Sequence, residues 1–173
     1  MAEAGAGAGA VVLRSEADSP AAELLGTAHE TTGFVEHHRR HGEPGESGDS
    51  KFESRHGVED AVPAATERAL DGTEPANAAA VAPSGRLAGA AADAAAALLD
   101  LARLPETADA GETVLLVAYG AGGAGAVALQ TGDGVGTAGA KSVATYLDAS
   151  EETSYAKHQE CRESVEYEGV KTT

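Results

Sequence analysis

The segment "VLLVAYGAGGAGAVALQT", residues 114–131, decides the fold because an apolar run leads directly into closely spaced glycines. Three of these glycines have the spacing G-x-G-x-x-G, which is typical of a dinucleotide-binding loop if the loop opens a helix. Only "AVALQT" separates Gly125 from the next glycine-rich stretch, and a crossover helix needs about ten residues or more. We therefore predict that residues 112–119 and 126–131 are neighbouring antiparallel strands joined by a tight glycine loop.

The apolar segments before this pair predict a mixed α/β protein. Residues 7–14 and 22–29 are short apolar runs separated by a polar breaker, which favours a hairpin. Apolar positions at helical spacing predict a helix over 58–71, with Gly72 as its C-cap. The alanine-rich segment 76–83 is interpreted as a short strand, and the leucines and alanines of 85–105 predict a second helix that stops at Pro105.

The polar segment 33–57 is predicted to be an exposed loop with one helical turn around Val35–Arg40. It contains His37, His38 and His41, and the last two would share one face of such a turn. A metal site needs convergent ligands with supporting hydrogen bonds, so we interpret these histidines as solvated surface and expect no metal or cofactor. We divide the chain into residues 1–140 and a polar tail, 141–173, for which we expect partial helix or disorder.

Composition excludes several classes of function. The 173 residues carry 28 acidic and 12 basic side chains, a formal net charge of -16. Such a surface repels phosphate backbones and anionic lipid headgroups, so we expect neither a nucleic acid nor a membrane partner. Abundant acidic residues with few lysines and aromatics are typical of a protein adapted to high salt. The lone cysteine, Cys161, excludes an internal disulfide and favours a cytoplasmic location.

The order of these pieces resembles the second half of 3-hydroxy-3-methylglutaryl-CoA synthase, in the thiolase-like superfamily of condensing enzymes. The likeness covers most of residues 5–160 and is best in "GETVLLVAYGAGGAGAVAL", residues 111–129. It implies a partial thiolase-like fold, in which a hairpin precedes a mixed sheet with helices packed on it. It also implies a role in acyl-CoA condensation for isoprenoid precursors, with an acyl-CoA ligand and a protein partner or homo-oligomer.

The same resemblance implies that the chain is catalytically incomplete alone. The family's nucleophilic cysteine and acid/base glutamate lie in the first half, upstream of residue 1, and Cys161 in the tail cannot replace that cysteine. "VAPSGR", residues 81–86, matches the family's histidine segment with Val81 in the histidine position. The family's asparagine is absent as well, so no catalytic residue is predicted.

The remaining candidate site is the glycine loop, which lies near the acyl-CoA pocket in the enzymes that the chain resembles. Its residues are Gly120, Gly122, Gly123 and Gly125. A turn that serves only the geometry of the sheet is an equally good interpretation. Two other functions stay open: an acidic protein-interaction module without catalysis, and a nucleotide-binding oxidoreductase, which requires a helix after Gly125.

Overall fold

The computed structural model describes residues 9–33, 37–38, 46–47, 50–81, 96–120, 122–136, 141–149, 154 and 157. Within these residues the chain is a mixed α/β protein built on one four-stranded sheet. The strands are β1 (Ala22–Thr31), β4 (Asn77–Val81), β5 (Thr113–Gly120) and β6 (Gly123–Thr131). Their order across the sheet is β1-β6-β5-β4, with β4 parallel to β5 and the other two pairs antiparallel.

The hairpin of β5 and β6 forms the centre of the sheet, as the glycine-loop segment predicts. Most residues of β5 are buried, with Val114 fully so, because helices cover both faces of this strand. A continuous apolar run is the sequence pattern of a strand that is buried on both sides. The prediction of two antiparallel strands over residues 112–119 and 126–131 is therefore confirmed.

Helix α2 (Glu59–Leu70) covers one face of the sheet with a row of alanines. Ala61, Ala65 and Ala69 are buried at four-residue spacing, against side chains such as Val117 on β5. Small side chains permit close approach: a Cβ on Gly26 of β1 would overlap the carbonyl oxygen of Ala69. The predicted helix and its glycine stop are confirmed, although the left-handed conformation begins one residue early, at Asp71, and continues at Gly72.

The other face of the sheet carries α3 (Ala96–Arg103) and the short 3-10 turn Leu104–Thr107 that continues it. Leu104 is buried against Val114 and Leu116 of β5. The expected helix is thus confirmed over its second half, while residues 82–95 lie outside the described part of the chain. Pro105 does not end the helical path but lies inside the 3-10 turn.

The predicted hairpin between residues 7–14 and 22–29 is wrong. β1 forms, but its partner is β6, from Ala22 opposite Thr131 to Thr31 opposite Gly123. Residues 9–14 form no strand. The reason lies just before β1, where the amides of Gly132 and Gly134 donate to the carbonyls of Ala21 and Pro20 at 2.9 and 3.1 Å. These bonds hold the start of β1 beside the end of β6, so β1 pairs with β6.

The polar segment contains a minimal two-stranded ladder, α1 (Ser50–Glu53) and one π-helical turn, Ser54–Val58. The ladder pairs β2 (His37–His38) with β3 (Glu46–Ser47). A helical turn at residues 35–40 is therefore wrong, because residues 37–38 are paired as strand. In the tail, α4 (Val143–Asp148) confirms partial helix. Within the described ranges, no helix has the length and apolar character that crossing a bilayer demands.

Candidate functional site

Three strands deliver their carboxyl ends to the same end of the sheet. β5 ends at Gly120, which pairs with Gly123 of β6, and β1 ends at Thr31, which pairs with the same glycine. The parallel strand β4 ends at Val81, opposite Ala118. Ligands of open α/β sheets bind outside the carboxyl ends of strands. The candidate glycine loop and Val81 thus lie at the same end of the sheet, where a ligand site is expected.

The loop between β5 and β6 is a two-residue connection that Gly122 makes possible. Its φ of 82° lies in the left-handed region that favours glycine. The carbonyl oxygen of Gly122 accepts hydrogen bonds from the amide of Thr32 at 2.6 Å and from its hydroxyl at 2.7 Å. The residue that follows β1 therefore fixes the loop, and Thr32 is a site residue that the sequence analysis missed.

Gly123 and Gly125 differ in the space around them. A Cβ on Gly123 would lie 2.6 Å from the carbonyl oxygen of Glu30 and 3.3 Å from Nε2 of His29, so packing requires a glycine there. A Cβ on Gly125 would meet no atom of the described residues within 4 Å. Packing against this part of the chain therefore does not explain Gly125.

His29 borders the space over Gly125 from the edge strand. It pairs with Gly125, which in turn pairs with Ala118. Side chains two residues apart on a strand share a face, so Ala118 and its partners lie on the same face as Leu116, the face that carries α3. Ala118 and Gly125 therefore form a surface of small residues on this face, and the exposed imidazole of His29 lies beside it. Nδ1 of His29 lies 3.4 Å from the hydroxyl of Thr31, within a weak hydrogen bond.

The opposite face at this end carries a charged pair. Nη1 of Arg68 on α2 donates to the carboxylate of Glu30 at 2.8 Å and to the carbonyl oxygen of His29 at 3.1 Å. This pair is largely exposed, so solvent screens it. Its structural effect is to fasten the end of β1 to the last turn of α2, which holds His29 in place.

One buried carboxylate lies on α3. The side chain of Asp100 is almost fully buried, with Oδ1 at 3.7 Å from Nε of Arg103. Its Oδ2 has no hydrogen-bond partner among the residues whose positions are described. Desolvation raises the pKa of Asp100, and the charge of Arg103 opposes that rise. Its place in the apolar face of α3, four residues before the buried Leu104, was a signal that sequence reasoning could have used.

The other residues singled out in the sequence do not join this site. Cys161 and His41 lie outside the described residues, and only the backbone of His37 and His38 is described. Among the residues whose positions are described, no three His, Cys, Asp or Glu side chains are grouped to hold a metal. Since Gly123–Thr131 is a strand, the helix that an oxidoreductase of the dinucleotide-binding type requires after Gly125 is absent, and that alternative is wrong.

The sequence was compared with protein-family models and with curated proteins. No protein-family model and no curated protein matches the sequence.

Proposed function

We propose that the chain is a hydroxymethylglutaryl-CoA-synthase-like protein that binds an acyl-CoA at the carboxyl end of its sheet and is catalytically incomplete alone. The observation that carries the proposal is the convergence of the glycine loop with the end of β4 at Val81. In the enzymes that the chain resembles, the corresponding loop lies near the acyl-CoA pocket, and Val81 stands in the position of their catalytic histidine. Helices on both faces of a mixed sheet also agree with the architecture of each half of those enzymes.

Such a site can bind a thioester but cannot condense it. A Claisen condensation requires a thiolate, a base for the acetyl carbon and oxyanion donors in one place. The loop offers backbone groups and the surface over Gly125, with His29 beside it. No cysteine lies at this end of the sheet among the described residues. The chain would therefore complete an assembly whose partner carries the nucleophile.

Titration calorimetry of the full chain with acetyl-CoA in molar KCl tests the ligand. Saturable binding is expected, and Gly125→Val should abolish it, because the new side chain occupies the space over Gly125, where a Cβ meets no described atom within 4 Å. Ala102→Val, on the exposed surface of α3, is the matched control and should bind like the parent. A folded parent chain that shows no heat with millimolar acetyl-CoA would contradict the proposal.

The acidic interaction module is the second candidate, favoured by the net charge of -16. The same calorimetry separates the two functions, because a module without a ligand pocket binds no acetyl-CoA. Capture of partners from a high-salt lysate provides an independent measurement. Recovery of a condensing enzyme supports the first function, and unrelated partners support the second.

A further inference from the structure

Exposed hydrophobic side chains are concentrated near the amino-terminal end of the described chain. Of eight such large side chains, five lie within residues 11–25. Soluble monomers rarely expose clustered apolar surface, and such surface marks sites of interaction. The five residues are Val11, Val12, Leu13, Leu24 and Leu25.

The first of two parts of this surface is residues 9–14, which we call the donor segment. It reads "GAVVLR", a composition that suits a strand, yet it pairs with no strand in the described structure. Val12 and Leu13 are each 81% exposed. The carbonyls of Pro20 and Ala21 accept hydrogen bonds from the glycines that follow β6. The chain just before β1 is therefore paired with that segment, and the donor segment does not pair with β1.

The second part is the free edge of β1, which we call the acceptor edge. Within the described sheet, β1 is an edge strand whose only neighbour is β6. The strand has ten residues, with an irregularity at Leu25, where the pairing with β6 passes from Leu24 to Gly26. Leu24 and Leu25 are 56% and 48% exposed. A long edge with exposed apolar residues is a template for another strand.

We propose that the donor segment of one copy of this chain adds as an antiparallel strand to the acceptor edge of a second copy, and that the exchange is reciprocal. Reciprocal addition closes a two-fold dimer and satisfies both surfaces at once. One antiparallel register places apolar side chains opposite apolar ones and the segment's only cation opposite an anion. Its pairs are Val12 with Leu25, Leu13 with Leu24, and Arg14 with Glu23.

Net charge sets the conditions in which this dimer forms. Two copies at -16 each repel one another in dilute buffer, where screening extends over about 10 Å or more. In molar salt the screening length falls to about 3 Å, so the apolar pairs decide the outcome. The dimer is therefore expected to strengthen as KCl is raised.

Sedimentation equilibrium of the full chain in molar KCl tests the proposal. The parent should dimerise, and Val12→Asp or Leu24→Asp should each weaken the dimer by about tenfold or more. Tyr146→Asp on α4 is the control, because the exposure of Tyr146, 62%, lies between those of Leu24 and Val12, at 56% and 81%, and the residue lies outside both surfaces. If Val12→Asp and Leu24→Asp melt cooperatively at the same temperature, both substitutions have left the fold of the monomer intact. A parent that stays monomeric, or a dimer that both substitutions leave intact, overturns the proposal.

A cross-link tests the register. In a Cys161→Ser background, Arg14→Cys combined with Glu23→Cys should give a covalent dimer under mild oxidation, and Arg14→Cys combined with Tyr146→Cys should not. Covalent dimer from both pairs, or from neither, contradicts the register. Neither experiment involves acyl-CoA, so a failure here leaves the proposed function untouched, and the converse also holds.

Discussion

The imidazole of His29 lies directly over Gly123, where a Cβ would come within 3.3 Å of Nε2. The carbonyl oxygen of Glu30 closes the same space from the backbone side, at 2.6 Å from that Cβ position. This contact joins the edge strand to the glycine hairpin at the end of the sheet where the proposed ligand binds. Packing therefore requires a glycine at position 123 but not at position 125.

Gly123→Ala should destabilise the protein by about 1–3 kcal/mol, because the added methyl group must displace backbone rather than a flexible side chain. Urea unfolding in molar KCl measures the effect. Gly125→Ala is the matched control, since its Cβ meets no described residue within 4 Å, and its stability should lie within about 0.5 kcal/mol of the parent. Equal stability of the two variants would contradict the described contact.

Thr131→Val should cost about 1–2 kcal/mol, because the buried Thr131 hydroxyl organises the turn before β5. It accepts from the amide of Glu112 at 3.0 Å and contacts the carbonyl oxygen of Asp109. Valine preserves the shape and the β-branch but removes this hydroxyl, so the amide of Glu112 and the carbonyl oxygen of Asp109 keep only their 3.1 Å bond to each other. Thr27→Val, at an exposed position of β1, is the control, and thermal unfolding of both variants gives the comparison. A Thr131 variant as stable as the control would show that the hydroxyl is dispensable.

Asp100→Asn should raise the free energy of unfolding at neutral pH by about 1 kcal/mol, because it removes a desolvated charge. Burial raises the pKa of Asp100, so the folded state holds this proton more tightly than the unfolded chain does. The parent therefore gains stability from this group as pH falls through the raised pKa toward about 4, the unfolded value. The advantage of the variant should shrink over that range.

Unfolding measured from neutral pH to mildly acidic pH tests the effect of Asp100, with Asp148→Asn as the control at an exposed position of α4. A variant whose advantage is the same at every pH would contradict the assignment.

The melting temperature should rise between dilute buffer and molar KCl, because 28 acidic side chains against 12 basic ones repel one another in the folded state. Differential scanning calorimetry over a KCl series measures the shift. A neutral osmolyte at matched water activity is the control that separates charge screening from a general solvent effect. A melting temperature that responds equally to both solutes, or to neither, speaks against adaptation to high salt.

Local patterns predict the elements of this protein better than they predict its long-range pairings. The run Val114–Tyr119 identifies a strand buried on both faces, and the spacing from Val58 to Leu70 identifies α2. The hairpin prediction failed because the sequence shows two neighbouring apolar runs but not their partners, while the choice of β6 as the partner of β1 depends on bonds from Gly132 and Gly134. No local pattern records that choice.

The candidate site shows the same division. The glycines of the loop are visible in the sequence as a motif, and their spacing already indicates a turn between strands. Thr32, His29 and Arg68 have no motif around them, because contacts between β1, α2 and the loop bring them there. Only the place of Thr32, just beyond a strand that ends near the loop, offers a signal in retrospect.

The pairing of β1 with β6 also governs how the chain matures during synthesis. β1 leaves the ribosome first, and roughly a hundred residues must follow before β6 exists, about 5–20 s at typical elongation rates. During that interval both edges of β1, with Leu24 and Leu25, are open to any nascent chain on the same message. β1 therefore stays without its native partner until the central hairpin of β5 and β6 has been made.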